Sequence, residues 1–144
     1  MDDASRYEEA AGLYDEAYKF VIASVGAIEN KPLVIFCASK ACFQSFGFDK
    51  AAAHTVGVSG IVMAPRGWKN YYLRHEMIHH LQAGRMGVLD QWLSPEWFKE
   101  GMAYSLGQDP RPRLSEPWQQ YRSDFETWYQ TVGKERLWEE ACKH

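Results

Sequence analysis

The residues of this chain best equipped for chemistry are the histidines and the glutamate of His75-Glu76-Met77-Ile78-His79. On a helix of 3.6 residues per turn, positions i and i+4 sit about 40° apart around the axis and one turn along. Both imidazoles therefore reach one cation, and Glu76 is held beside it without having to bind it. Zinc takes tetrahedral ligands, and a catalytic site uses three protein groups so that the fourth position stays open for water. Two histidines fall one ligand short. Glu100, in Trp97-Phe98-Lys99-Glu100-Gly101-Met102-Ala103, is the candidate third. With His75, His79 and Glu100 holding one zinc ion, Glu76 is expected to accept the proton of a water whose pKa the metal lowers to about 7.

These residues need elements to position them. Ser5 followed by Glu8 has the form of a capping box, and Tyr7, Ala10, Tyr14, Ala17, Tyr18 and Val21 recur at helical spacing. An N-terminal amphipathic helix is predicted, ending before Asn30-Lys31-Pro32. Leu33-Val34-Ile35-Phe36-Cys37 reads as a short buried strand, followed by a helical turn that Gly47 closes. His54 to Val58 and Ile61 to Ala64, separated by Ser59-Gly60, read as two antiparallel strands. Pro65-Arg66-Gly67 turns into the motif helix, predicted over 70–85, whose stripe of Leu73, Met77 and Leu81 faces away from the histidines. Ser94-Pro95 is a helix start, serine as N-cap and proline at the first helical position, and it sets Glu100 mid-helix. Gly101 costs that helix about 1 kcal/mol relative to alanine, which points to a close helix approach that lets Glu100 reach a metal on the neighbouring helix. Two C-terminal helices, one through Trp118, Tyr121, Phe125 and Trp128 and one over 134–141, complete an α+β fold. At 144 residues, 46% of them hydrophobic, the chain suits one domain over 1–144.

His75-Glu76-x-x-His79 followed by Trp97-x-x-Glu100-Gly101-x-Ala103 resembles the gluzincin group of zinc metallopeptidases, over about thirty-five residues and in its compact form. The Pro65-Arg66-Gly67 turn is also similar to that of small uncharacterised bacterial proteins. The resemblance implies a compact zincin-like domain, with a small sheet packed on the N-terminal, active-site and glutamate-bearing helices. It implies zinc-dependent peptide-bond hydrolysis, Glu100 as third ligand, and a peptide or protein substrate added antiparallel to an edge strand. Ile61, Val62, Met63 and Ala64 are the candidate substrate strand by position in the chain, and an interior strand would read the same. Related enzymes hold the developing oxyanion with a tyrosine or histidine. Tyr104, one turn after Glu100, is the candidate for that role or for steadying a ligand, with Tyr71, Tyr72, Tyr121 and His54 as others. The alternative is a zinc-fastened peptide-binding or structural module that does not cut.

A net charge of -3 gives no general attraction to nucleic acid or anionic membrane, and no apolar run approaches the length of a membrane span. The start of the chain lacks the basic region of a secretory signal, so a cytoplasmic location is the default expectation, and the oligomeric state is left open. Three cysteines are poor material for a disulfide framework, and Cys37 is expected to be a small buried thiol instead of a partner for Cys42. His80, turned about 100° from His79, is expected to be a surface or partly buried residue and not a ligand. Arg111 and Arg113 read as solvated loop charges, with capture of a substrate carboxylate as the functional alternative. Cys142 and His144 are candidates for folding over the zinc.

Overall fold

A computed structural model describes residues 1–143. The elements run α1 (Tyr7–Ser24), β1 (Leu33–Phe36), α2 (Lys40–Ser45), β2 (Ala53–Val56), β3 (Gly60–Met63), α3 (Asn70–Met86), α4 (Val88–Leu93), α5 (Glu96–Leu106), α6 (Trp118–Val132) and α7 (Leu137–Ala141). The class is mixed α+β, with a three-stranded sheet among seven described helices. None of those helices is long and apolar enough to cross a membrane. One buried cluster runs from Ala10 and Val21 of α1 through Phe36, Ile61 and Met63 of the sheet to Leu73 and Met77 of α3, Phe98 and Met102 of α5, Phe125 of α6 and Leu137 of α7. Each of the larger side chains among them contributes about 1.5–3 kcal/mol, so the expected stripe of α3 fixes that helix in the core and leaves its other side for the ligands.

The strand order is β1-β3-β2, with β3 parallel to β1 and antiparallel to β2. This corrects the candidate substrate strand. Ile61, Val62 and Met63 lie on the central strand, paired on both sides, and Ala64 just beyond it still bonds back to Ala52. Ile61 and Met63 face the helices while Val62 enters a second cluster with Cys37 and Phe43, so β3 is buried on both faces. The strand with a free edge on the motif side is β2. β1, at the other edge, is less buried than its composition implied, with Leu33 67% exposed.

Local differences have identifiable causes. Asp3, not Ser5, caps the N-terminal helical turn, its carboxylate accepting from the Ser5 amide at 3.0 Å and hydroxyl at 2.6 Å. α5 starts at Glu96, and the Ser94 hydroxyl donates to the Asp90 carbonyl at the end of α4 instead of capping α5. Gly101 does mark a close approach, but to a different helix. A β-carbon there would lie 2.3 Å from the Tyr121 carbonyl oxygen and 2.6 Å from Phe125 Cβ, so the glycine lets α6 press against the back of α5. His80 is buried, and its Nε2 meets the Asn30 carbonyl at 2.6 Å.

Cys37 and Cys42 are joined in a disulfide that ties the end of β1 to α2, against the expectation of a free thiol. Cys37 is buried, as expected, but the turn into α2 brings the two Cα atoms to 5.5 Å. A loop this short removes about 2 kcal/mol worth of freedom from the unfolded chain. Replacing both cysteines by alanine is therefore expected to lower the midpoint of thermal unfolding, followed by circular dichroism, by roughly 5–8 °C.

Candidate metal centre

α3 and α5 cross so that His75, His79 and Glu100 converge, their ligand atoms all within 4.8 Å of one another. The Nε2 atoms of His75 and His79 are 3.1 Å apart. Glu100 reaches both with its two oxygens, Oε2 at 3.2 Å from His75 and Oε1 at 3.4 Å from His79. A tetrahedral zinc with ligands at 2.0–2.1 Å requires neighbouring ligand atoms about 3.3–3.4 Å apart. The two histidines lie slightly inside that spacing, and each meets a different oxygen of Glu100 close to it. The same distances suit a shared proton, which is how a metal-free site balances its charges. Burial opposes charge on His79, but the hydrogen bond and charge of Glu100, with the charge of Glu76 behind them, push its pKa up to about 9. Burial likewise opposes ionisation of Glu100, and the two histidines outweigh it, holding the carboxyl well below the usual carboxylate range.

Sequence reading missed the residue that orients this cluster. Gln82 is fully buried on α3, and its Oε1 faces His79 Nδ1 at 2.9 Å, while its Nε2 donates to the Lys99 carbonyl of α5 at 3.0 Å. With Nδ1–H donating to the amide oxygen, Nε2 of His79 is left with its lone pair towards the cation position. Gln91 of α4 adds a bond to the same Oε1 at 3.2 Å and another to the His79 carbonyl at 2.8 Å. The available signal was a polar residue one turn after buried Ile78. Gln82→Leu is expected to weaken zinc binding 10–100-fold in competition with a chromophoric chelator.

Glu76 lines the same cleft, of about 700 Å³, and is held from above. The Thr55 hydroxyl of β2 donates to its Oε2 at 2.5 Å. No protein-family model, curated protein or solved structure matches the chain. What the site can do is therefore read from its own geometry.

The remaining candidates separate by position. Tyr104 packs edge-on against His75, ring centroids 4.4 Å apart, and burial followed by the charge of Glu100 pushes its pKa up to about 12. It keeps its proton at neutral pH and has a hydroxyl to donate. Tyr72 and His54 also line the cleft, whereas Tyr71 and Tyr121 do not. Arg111 is an exposed loop charge, as expected, and it also reaches the cleft. It forks onto Asp109 at 2.9 and 2.6 Å and lies 6.0 Å from the Tyr104 ring, forming part of the cleft wall. Arg113 is exposed and pairs with Glu116 at 3.6 Å. Cys142 is exposed and not among the cleft residues, and His144 lies outside the described residues.

Proposed function

We propose that the protein is a small zinc-dependent peptidase of gluzincin type, with a zincin-like arrangement of sheet and helices. The observation that carries this reading is the convergence of His75, His79 and Glu100, their ligand atoms within 4.8 Å of one another, beside Glu76 in a cleft roofed by an open strand edge. Zinc held by His75, His79 and Glu100 would supply a Lewis acid for a substrate carbonyl and would lower the pKa of water to about 7. Glu76 takes the proton of the attacking water and passes it to the departing amine. Thr55 keeps the Glu76 carboxylate aimed into the cleft, and the protonated Tyr104 hydroxyl supports the oxygen on which charge develops.

The edge of β2 supplies alignment. Antiparallel pairs alternate between bonded and non-bonded positions, and the Ala64 amide donating to the Ala52 carbonyl at 2.9 Å sets the phase. Ala53 and Thr55 then fall at non-bonded positions opposite Met63 and Ile61, so their amide and carbonyl groups turn to the free edge. An extended peptide adds there as a further strand, directly above the residue that holds Glu76. The Cys37–Cys42 bond supports an oxidising setting, where such bonds persist, over the cytoplasmic default.

The test is incubation of zinc-loaded protein with a mixture of unfolded proteins and peptides, and mass spectrometry of the products. Cleavage that stops on chelation and returns with zinc supports the peptidase. Stoichiometric zinc with peptide binding and no cleavage would assign the non-cutting module instead.

A further inference from the structure

The ledge beside the metal is apolar and uncovered. Val88, Leu89, Trp92 and Leu93 of α4 are exposed, Trp92 at 73%. The turn after β2 runs close to this helix, since a β-carbon on Gly57 would lie 3.6 Å from Val88 and both residues line the cleft. Such a patch on a small protein marks a binding surface. Its position says what covers it: Val88 and Trp92 also line the metal cleft, and Gln91 bonds α4 to the backbone of His79. An occupant of the ledge thus continues into the cleft.

We propose that the ledge selects substrates with bulky apolar residues on the N-terminal side of the bond that is cut, an inference that rests on the peptidase reading above. Direction follows from the strand. β2 runs from Ala53 towards Val56, and the turn after it abuts α4. A peptide added antiparallel to that edge runs the opposite way, so its N-terminal half passes the Val56 end and lies over Val88 and Trp92. Its reacting bond sits below Thr55, at Glu76. The residues after that bond leave towards Ala52 and Arg66, also cleft residues, where the Arg66 guanidinium is turned onto the Lys50 carbonyl at 2.6 Å. The substrate class is an unfolded segment whose apolar run precedes the cut.

The experiment uses two labelled eight-residue peptides of one composition, four apolar residues followed by four polar ones and the reverse block order. Their affinities for the zinc-loaded Glu76→Gln protein are read by fluorescence anisotropy. The apolar-first peptide is expected to bind about tenfold tighter, and Trp92→Ala to remove that preference. Leu89→Ser provides a second variant with the same expected loss. Equal affinities, a preference for the reverse order, or no binding of either peptide would overturn the proposal. So would a preference that survives both variants. Self-association in sedimentation that Trp92→Ala abolishes would name a second copy as the occupant, and binding to phosphatidylglycerol-containing vesicles that Trp92→Ala abolishes would name a lipid surface; either overturns it too. The two readings fail separately. Order preference without cleavage by the wild-type protein sinks only the peptidase, and cleavage without order preference sinks only the ledge.

Discussion

Glu76→Gln protein is expected to retain one zinc per chain and to lose about 10²–10⁴-fold in kcat for peptide hydrolysis, the range by which a positioned general base accelerates a reaction. The substitution keeps the shape of the side chain and an oxygen for the Thr55 hydroxyl, so the cleft is undisturbed. What goes is the ability to take a proton. Because Glu76 is not a ligand in this arrangement, zinc content separates loss of chemistry from loss of the site. Metal-loaded Glu76→Gln that hydrolyses peptides at the wild-type rate would remove Glu76 from the mechanism. Thr55→Val, which deletes only the hydroxyl that aims Glu76, is expected to fall between the two proteins in kcat and to leave zinc affinity unchanged.

Zinc is expected to raise thermal stability by about 4 kcal/mol at a free concentration 1,000-fold above its Kd, roughly 8–16 °C for a chain of this size. Glu100→Gln, which removes the anionic ligand, should abolish most of that gain. The size of the gain depends on pH in a direction fixed by His79. In the metal-free protein its pKa is raised from 6.5 to about 9, so the protonated His79 and Glu100 pair contributes stability that is complete below about 6.5 and lost as pH rises through about 9. Zinc needs the neutral ring and must displace that proton, so its affinity weakens about tenfold per unit as pH falls below about 9. The metal-induced shift in melting temperature should therefore widen between pH 6.5 and 9. Calorimetry of metal-free and zinc-loaded protein across that window measures it, and a shift that narrows with rising pH would contradict the proton competition.

Much of the scaffold was legible because its signals are local. The stripe of Leu73, Met77 and Leu81 and the helical recurrence after Tyr7 each follow from spacing, and Leu73, Met77 and Leu81 are buried as that spacing requires. The convergence of His75, His79 and Glu100 was legible for the same reason, each ligand lying on a helix whose register the surrounding residues set. Strand order was not. A hairpin leaves its two strands equivalent, and only the parallel pairing of β1 with β3, made across a long connection, turns β2 outwards. The partner of Gly101 was misread for a related reason: a mid-helix glycine announces a close neighbour without saying which helix supplies it. α4, at six residues, is too short to show periodicity, and Gln82 looked like an ordinary polar residue until its bonded neighbours came together from α3, α4 and α5.

X-ray absorption at the zinc edge, on protein loaded with zinc and freed of excess, tests the metal centre directly. The expected result is one zinc per chain with two imidazole nitrogens at about 2.0–2.1 Å and oxygen ligands at about 2.0–2.2 Å, four in all. Sulfur in the first coordination sphere, a third imidazole, or no retained zinc would contradict a centre built from His75, His79 and Glu100 with one position left for water.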